Sequence, residues 1–246
     1  MSGGEWEIRW FEEIDSTNTY VRQQARLGAP AGLVAVADHQ TAGRGRLGRS
    51  WESPPATNLL ASVLLRPAID AADLHLCTTA VALAAIDACD EVAGVSAQLK
   101  WPNDLLVGGA KVAGILAEAE FADDEVVAVV VGIGINVGWP GPPDAGGTSL
   151  EVASGSAVDR RALLDHLLDA LTRRGAALDE VAGRRTLAEE GRRRSATIGQ
   201  RVLVTLEDGE ISGRAVAIDD SGRLVVETPG GPRTVTAGDV VHVRAG

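Results

Sequence analysis

Three glycines and three arginines lie within the seven residues 43–49, whose sequence is GRGRLGR, and Trp51 follows two residues later. Glycine lets the backbone adopt positive φ angles and bring its N–H groups close to a ligand, while arginine supplies a planar, permanently charged group that suits phosphate or carboxylate. Adenylates carry both kinds of oxygen. The stretch therefore predicts a loop that binds an anion, although a flexible, solvated basic loop has the same composition.

A carboxylate and an amine lie on either side of a predicted hairpin turn. Gly108-Gly109 is typical of a two-residue turn between two β-like segments. Such a turn pairs Asp104 with Ala113, so Asp104 and Lys111 project from the same face as diagonal neighbours. An acid and a base held in this way can orient an incoming amine and neutralise a phosphate or carboxylate, as acyl activation requires. A simple cross-strand ion pair is the alternative.

Three further glycines interrupt segments that otherwise have the composition of strands. Gly114 sits where Asn103 should pair across the hairpin, and Gly132 and Gly134 precede Asn136 in the most apolar run. A glycine within a strand leaves space beside the backbone, so a ligand fits against both segments. A β-bulge or a tight packing contact would explain each glycine as well.

Strands and helices are predicted to alternate around these residues. Asp15-Ser16-Thr17-Asn18 offers several residues that cap a helix N-terminus, and this helix ends near Gly28. Residues 138–147 contain three prolines and four glycines, which predicts a surface loop and a candidate lid. The predicted strands cover residues 6–14, 33–38, 58–65, 97–107, 111–119 and 126–137, and the other predicted helices cover residues 73–93, 160–178 and 180–192.

The pattern changes after the basic run Arg192-Arg193-Arg194. Residues 195–246 hold short valine-rich segments separated by turn-forming residues at 208–209, 219–222 and 229–232. This spacing is typical of a small all-β barrel. We therefore expect two domains, residues 1–194 and residues 195–246.

The composition indicates a globular protein and argues against some partners. Of the 246 residues, 45% are hydrophobic and 23% are charged, and the formal net charge is −11. This charge opposes long-range attraction to nucleic acid or to an anionic membrane. No run reaches the roughly 18 apolar residues of a membrane span, and the N-terminus lacks the pattern of an export signal. We expect a cytoplasmic protein.

The two cysteines, Cys77 and Cys89, fall in one predicted helix. Twelve residues at a rise of about 1.5 Å each separate them by about 18 Å, which is beyond the reach of a disulfide. We expect buried free thiols, as a reducing compartment allows.

Taken in chain order, these motifs resemble the signature of the biotin protein ligases, most densely over residues 10–150. The resemblance implies an α+β fold, with a mixed β-sheet and flanking helices as in the class II synthetases and biotin ligases, plus a small C-terminal SH3-like β-barrel. The residues that carry it are 15–18 (DSTN), Gln40, 43–49 with Trp51, 100–104 (KWPND), 111–115 (KVAGI) and 132–136 (GIGIN).

The family's activity follows as an implication of the resemblance. Its members join biotin to ATP, which gives biotinyl-5′-adenylate and pyrophosphate. They then transfer biotin to one lysine of a biotin carboxyl carrier domain of an acyl-CoA carboxylase. Mg²⁺ is expected with the ATP, because triphosphate chemistry usually needs a hard cation, and the sequence shows no separate metal-ligand cluster.

The resemblance also implies roles for individual residues. Lys111, Arg46 and Asp104 are the candidate catalytic residues, and Asp104 would either accept a metal-bound water or serve the acceptor lysine as orienting group and base. The implied biotin-binding residues are Ser16, Thr17, Asn18, Gln40, Gly43, Arg44, Gly45, Arg46, Lys111, Gly114, Ile115, Gly132 and Gly134, and the implied nucleotide-binding residues are Arg46, Arg49, Trp51, Asn103, Lys111 and Asn136.

Several alternatives remain at this point. The catalytic pattern begins within about the first 15 residues, so we expect a ligase without the N-terminal DNA-binding segment of larger bacterial relatives, and a homodimer is possible. A lipoate ligase shares the fold and the adenylating chemistry, although Thr17 and Gln40 suit a ureido ring better than a dithiolane. A non-catalytic adaptor with a degenerate ligase domain is the third interpretation, against which the intact Arg46 and Lys111 argue.

Overall fold

The computed structural model describes residues 6–206 and 209–243. Twelve strands lie within these ranges: β1 (Glu7–Ile14), β2 (Leu33–Gln40), β3 (Leu59–Leu65), β4 (Gln98–Lys100), β5 (Asp104–Val107), β6 (Ala110–Ala122), β7 (Glu125–Ile135), β8 (Arg201–Leu206), β9 (Gly209–Ile218), β10 (Leu224–Thr228), β11 (Gly231–Val235) and β12 (Asp239–His242). The α-helices there are α1 (Thr17–Arg26), α2 (His75–Ala93), α3 (Leu150–Ser154), α4 (Arg160–Gly175) and α5 (Val181–Arg193).

The strands form two sheets. The larger has the order β1-β2-β3-β7-β6-β5-β4, in which β1 and β2 are parallel and the other neighbours are antiparallel. The smaller has the order β11-β10-β9-β8-β12 and is antiparallel throughout. This arrangement confirms the predicted α+β class, a mixed sheet with flanking helices followed by an SH3-like all-β unit.

The two faces of the larger sheet pack against different helices. Val34 and Val36 of β2 belong to the main core with α2 and α4, while Leu33 and Ala35 pack with Val21 of α1 on the other face. The side chains of β7 also alternate between the two cores, because successive side chains of a strand point to opposite faces of the sheet. The helix α1 covers part of its face only, which leaves the rest of that face for a cavity.

Local sequence signals explain the ends of the helices beside this sheet. Ser16 caps α1, and its side chain accepts a hydrogen bond from the backbone N–H of Thr19. Gly94 follows the last residue of α2 and caps its C-terminus, with a φ of 62° in the left-handed region that glycine adopts readily. None of the helices within residues 6–206 and 209–243 is long and apolar enough to cross a membrane.

The turn between β4 and β5 joins the two sheets. Trp101 in this turn is buried in the small core of the C-terminal sheet, beside Val202, Val204 and Leu224. Its backbone N–H donates to Thr197 Oγ1 at 3.0 Å, and its indole N–H donates to the backbone oxygen of Gly222 at 2.9 Å. The residues that follow Trp101 are therefore fixed by the C-terminal unit.

The structure corrects two predictions about the hairpin. The predicted strand 97–107 is interrupted at residues 101–103, where the Trp101-Pro102 peptide bond is cis, so it forms the separate strands β4 and β5. The register also differs, because Asp104 pairs with Gly114 rather than Ala113. A β-bulge causes the difference, since Leu105 pairs with Ala113 and Leu106 with Lys111, which leaves Val112 as the extra residue.

Smaller differences occur in the loops. The predicted surface loop 138–147 contains one 3₁₀ turn, Pro143–Ala145, and the short helix α3 that follows it was not predicted. The predicted turn at 229–232 is shorter, because β11 begins at Gly231. Residue 208 of the predicted turn at 208–209 lies outside the described residues. The domain boundary between residues 194 and 195 stays a prediction.

Both cysteines are free and buried in α2. Burial raises the pKa of the Cys77 thiol and of the Cys89 thiol to about 12 in each case. The thiolate is the reactive form, so neither residue should react in the folded protein near neutral pH.

We predict that iodoacetamide at pH 8 modifies neither cysteine in buffer and both in urea, as measured by intact mass. Modification in buffer as fast as in urea would contradict the buried placement.

Candidate functional site

A cavity lies on the α1 face of the larger sheet. The loop 43–51, the turn 101–103 and strand β12 of the smaller sheet surround it. Of the residues proposed from sequence, Gly43 and Asn136 are not among those that line it. The lining includes Ser16, Thr17, Asn18, Gln40, Arg44, Gly45, Arg46, Arg49, Trp51, Asn103, Asp104, Lys111, Gly114, Ile115, Gly132 and Gly134.

The loop 43–51 is closed by its own backbone. The N–H of Trp51 donates to the oxygen of Gly43 at 2.9 Å, and the N–H of Gly45 donates to the oxygen of Arg49 at 2.7 Å. Leu47 lies between these bonds with a φ of 56°. Gly43 thus contributes to the site through the base of the loop, and the loop presents its arginines to the cavity.

One end of the cavity is a cluster of uncharged polar groups at the start of α1. Gln40 Oε1 accepts hydrogen bonds from the backbone N–H of Thr17 at 2.8 Å and from Thr17 Oγ1 at 3.0 Å. Ser62 Oγ lies 2.7 Å from Thr17 Oγ1 and 2.6 Å from Asn18 Oδ1. These four side-chain oxygens share two hydroxyl protons. The cluster therefore has spare acceptor capacity and favours a ligand that brings N–H donors.

The strand glycines near this cluster make room for side chains. A Cβ atom at Gly134 would lie 2.5 Å from Trp51 Cε2, and one at Gly114 would lie 2.8 Å from Trp51 Cζ3. The ring of Trp51 thus lies directly on the two glycines. Gly132 faces the carboxamide of Asn18, which a Cβ atom would overlap. The tight-packing explanation therefore applies to all three positions.

Trp51 separates two spaces. Beyond its ring lies a second cavity, lined by Asn136, Lys111 and the glycine- and proline-rich segment 140–147. The Asn136 side chain donates to the backbone oxygens of Pro140 and Thr148, each at 3.1 Å, so it holds this segment in place. The Trp51 indole nitrogen is buried and has no partner among the described residues. A flat aromatic ring at this position suits stacking against a planar ligand group.

The other end of the first cavity concentrates positive charge. Lys111 Nζ lies 2.6 Å from Asp104 Oδ1 and 5.3 Å from the centre of the Trp51 ring, and Lys100 Nζ lies 3.9 Å from Asp104 Oδ2. Arg46 donates to Asn103 Oδ1 at 3.2 Å, and Arg49 forms an ion pair with Asp239 of β12. The sequence has two lysines, and both line this cavity.

Burial affects the cations of this group. Desolvation lowers the pKa of the Arg46 guanidinium and the pKa of the Lys100 amine, and the carboxylate of Asp104 opposes the effect in both. This end of the cavity holds four cations and two carboxylates, in a protein whose net charge is −11. The cations are Arg46, Arg49, Lys100 and Lys111, and the carboxylates are Asp104 and Asp239. An anionic ligand would supply negative charge that balances these partly desolvated cations, so the site is suited to phosphate and carboxylate.

Within the described ranges, no group of three or more histidine, cysteine, aspartate or glutamate side chains is arranged to hold a metal ion. The carboxylates that line the cavity, Asp104 and Asp239, each pair with a cation. The described residues around the cavity therefore form no cluster of free carboxylates.

Four side chains that line the cavity or support its lining had no predicted role: Ser62, Lys100, Glu118 and Asp239. Ser62 is a polar residue within the otherwise apolar strand β3, and this contrast in the sequence could have identified it as a candidate site residue. Lys100 was already part of the predicted 100–104 motif, but no role was assigned to it. Glu118 and Asp239 reach the loop 43–51 from distant strands, for which no local pattern exists.

Comparisons with known proteins agree with this geometry. Residues 10–136 match the family described as "Biotin/lipoate A/B protein ligase family", and residues 197–243 match "Biotin protein ligase C terminal domain". The chain is 37% identical over 251 residues to the biotin–[acetyl-CoA-carboxylase] ligase of Mycobacterium tuberculosis, covering 99% of this chain and 92% of that protein. It is 38% identical to the ligase of the same name from Paracoccus denitrificans, covering 92% and 96%.

A solved structure is similar as well. The biotin protein ligase from Aquifex aeolicus, in complex with biotin and ATP, aligns with a TM-score of 0.80 and 28% identity. The alignment covers 97% of this chain and 99% of that one. The likeness therefore extends over both sheets.

The packing of Asn18 against Gly132 leads to a stability prediction. Gly132→Ala should lower the free energy of unfolding by about 1–3 kcal/mol, because the methyl group overlaps a carboxamide that is held by Ser62 and by the backbone of β6. Gly114→Ala is the matched control and should cost less than about 1 kcal/mol, since it meets a ring carried by a loop. Urea unfolding measures both. Equal losses would contradict the prediction.

Proposed function

The chain belongs to the biotin/lipoate A/B protein ligase family, and we propose that it joins biotin to ATP and transfers the biotinyl group to a lysine of a carrier domain of an acyl-CoA carboxylase. The observation that carries the proposal is the meeting of two unlike regions at Lys111. An uncharged polar cluster lies on one side of this lysine and a group of cations on the other. Biotin has a ureido ring at one end and a carboxylate at the other.

The ureido ring fits the polar cluster. Its two N–H groups match the excess of oxygen acceptors formed by Gln40, Thr17, Ser62 and Asn18. The backbone at Arg44 and Gly45 completes this end of the cavity. Together with the aromatic surface of Trp51, this end suits a fused bicyclic ring better than a flexible dithiolane.

The carboxylate of biotin would lie near Lys111 and Arg46. In the first step a carboxylate oxygen attacks the α-phosphorus of ATP, the bond to the bridging oxygen breaks, and pyrophosphate leaves. Two anions must approach each other, and negative charge grows on the phosphate oxygens. The cations already fixed around the cavity stabilise this charge without rearranging, which is electrostatic catalysis.

The nucleotide would occupy the region beyond this point. We assign Arg49 and Asn103 to the phosphates and sugar, and Trp51 with Asn136 to the base, since both of these residues line the second cavity. Mg²⁺ would enter with ATP as its phosphate complex, where it supplies charge neutralisation. The protein's own residues do the binding and orienting.

In the second step the acceptor amine attacks the acyl carbonyl of the adenylate, and AMP leaves with the electrons of the broken bond. The amine must lose a proton on the way, and an unperturbed lysine has a pKa of about 10.4. Asp104 is the carboxylate nearest to Lys111, at 2.6 Å, and we assign it as the group that orients the amine and accepts the proton.

Other features of the proposal rest on composition. The buried free thiols of Cys77 and Cys89 support a reducing, cytoplasmic setting. The net charge of −11 supports a protein that does not bind DNA or a membrane surface. Native mass spectrometry would show whether the protein is a homodimer.

A lipoate ligase is the second candidate, because the matched family includes lipoate as well as biotin ligases. Incubation of the purified protein with Mg-ATP and a biotin carrier domain, with biotin or lipoate as the acid, separates the two by the mass of the carrier. We expect a gain of one biotinyl group and none from lipoate. The opposite result would replace the proposal with the second candidate.

Lys111→Ala should reduce the rate of biotinyl-adenylate formation by about 100-fold or more, because it removes a cation from the place where charge develops. Pyrophosphate release during a single turnover measures this step. Arg26→Ala is the matched control, since Arg26 is a cation on α1 that pairs with Glu120 and does not line the cavity. A Lys111→Ala variant as fast as the control would contradict the assignment.

Asp104→Asn should separate the two steps. Removal of the base should slow transfer by about 10²–10⁴-fold, while adenylate formation falls less than about tenfold. The adenylate is formed first, and transfer to the carrier is then followed in a single turnover. Asp165→Asn, a change at an exposed aspartate of α4, is the control. Equal losses in both steps would show that Asp104 supports the cavity rather than the proton transfer.

A further inference from the structure

Glu118 of β6 is mostly buried on the α1 face, with 18% of its side chain exposed. Its carboxylate accepts hydrogen bonds from three side chains that come from two parts of the chain. Oε1 accepts from Arg22 at 2.7 Å, and Oε2 accepts from Asn18 at 2.9 Å and from Arg44 at 2.6 Å. One carboxylate thus connects α1 with the loop 43–51.

The bond to Asn18 continues into the polar cluster. Asn18 Oδ1 lies 2.6 Å from Ser62 Oγ, Ser62 Oγ lies 2.7 Å from Thr17 Oγ1, and Thr17 Oγ1 donates to Gln40. The Asn18 amide nitrogen donates to Glu118 and, at 3.2 Å, to the backbone oxygen of Leu116, so these two acceptors together fix which end of the carboxamide faces Ser62. The orientation of the cluster therefore depends in part on Glu118, which lies outside it.

The bond to Arg44 fixes the loop on the same side. The other arginines of the loop attach its opposite end, where Arg46 reaches Asn103 and Arg49 reaches Asp239, and the Trp51 ring packs on the strand glycines between the two ends. The Arg44 side chain is 40% exposed, and its ion pair with Glu118 attaches the loop beside the start of α1. Charge-assisted hydrogen bonds as short as this one are among the stronger contacts in proteins.

We propose that Glu118 is a positioning residue for biotin, which acts by fixing Arg44 and the loop 43–51 over the polar cluster and by orienting Asn18 within it. The inference rests on the proposed function, because it assigns the ureido ring to this end of the cavity. Loss of the carboxylate releases the loop at its biotin end and leaves the phosphate end attached. Biotin binding should therefore suffer much more than ATP binding.

The neighbouring Glu120 provides a matched control. It lies two residues further along β6 on the same face, with 16% of its side chain exposed, and it accepts from Arg22 at 2.8 Å and from Arg26 at 2.9 Å. Glu120 thus shares burial, charge and one arginine with Glu118. Its hydrogen bonds reach α1 and do not include the loop.

The experiment compares Glu118→Gln with Glu120→Gln by two readouts. Amide hydrogen exchange of residues 43–51 in the protein without ligand, measured by mass spectrometry, should be about tenfold faster in Glu118→Gln. The KM for biotin in adenylate formation should rise by about tenfold while the KM for ATP changes less than about twofold. Glu120→Gln should change each quantity by less than about twofold.

Arg44→Gln tests whether the loop effect passes through this arginine, and its exposed side chain makes the variant safe for folding. It should accelerate exchange as much as Glu118→Gln, and the double variant should add nothing to either single change. If Glu118→Gln does not fold, Arg44→Gln alone decides the question against Glu120→Gln. Additive effects on exchange would overturn the proposed route.

The outcomes keep the two proposals apart. Unchanged loop exchange in Glu118→Gln, or an equal change in Glu120→Gln, overturns the role of Glu118 even when the wild-type protein makes biotinyl-adenylate. A wild-type protein that makes no biotinyl-adenylate overturns the proposed function, and the exchange data still judge the link between Glu118 and the loop. Equal rises in the KM for biotin and for ATP would show a general structural role instead.

Discussion

The site depends on the register of β6 and β7, which the main core fixes. Val131, Ile133 and Ile135 of β7 are buried on the side of α2 and α4, so the residues between them must face α1. Those residues are Gly132 and Gly134, against which Asn18 and Trp51 lie. A slip of one residue would turn branched side chains into the cavity and remove the space for both. The apolar packing on one face thus determines the shape of the polar site on the other.

The electrostatic character of the site is local and opposes that of the whole protein. The chain carries a net charge of −11, yet four cations gather around Asp104 and Asp239. Burial disfavours the charged forms of Arg46 and Lys100, which would be costly without compensating charge. The two carboxylates compensate only in part. An incoming anion completes the balance, so the surplus of positive charge favours binding of a ligand with several negative groups.

Much of this was visible in the sequence where a local pattern carried it. The Gly108-Gly109 turn and the buried cysteines follow from turn residues and helical spacing, while the fold class and most of the residues that line the cavity follow from the ordered motifs through the family resemblance. The bulge at Val112 has no such pattern, because KVAGI reads as continuous strand, and the predicted partner of Asp104 was therefore wrong. Glu118 and Asp239 meet the loop through tertiary packing, which spacing along the chain does not encode. The glycines were predicted as positions where a ligand lies beside the strands; the structure places the side chains of Asn18 and Trp51 against them, and contact with a ligand stays a prediction.

The turn 101–103 gives the C-terminal unit a direct part in the site. Trp101 is fixed in the small core by its indole and by Thr197, and Asn103 and Asp104 follow within three residues. Asn103 holds Arg46, Asp104 holds Lys111, and Asp239 of the same unit holds Arg49. Each cation that we assign to the phosphates is therefore positioned by a residue in the C-terminal unit or by one within three residues of its anchor. The C-terminal unit is thus an integral part of the cavity, because the group that we assign to the acceptor amine and the groups that we assign to ATP share this one support.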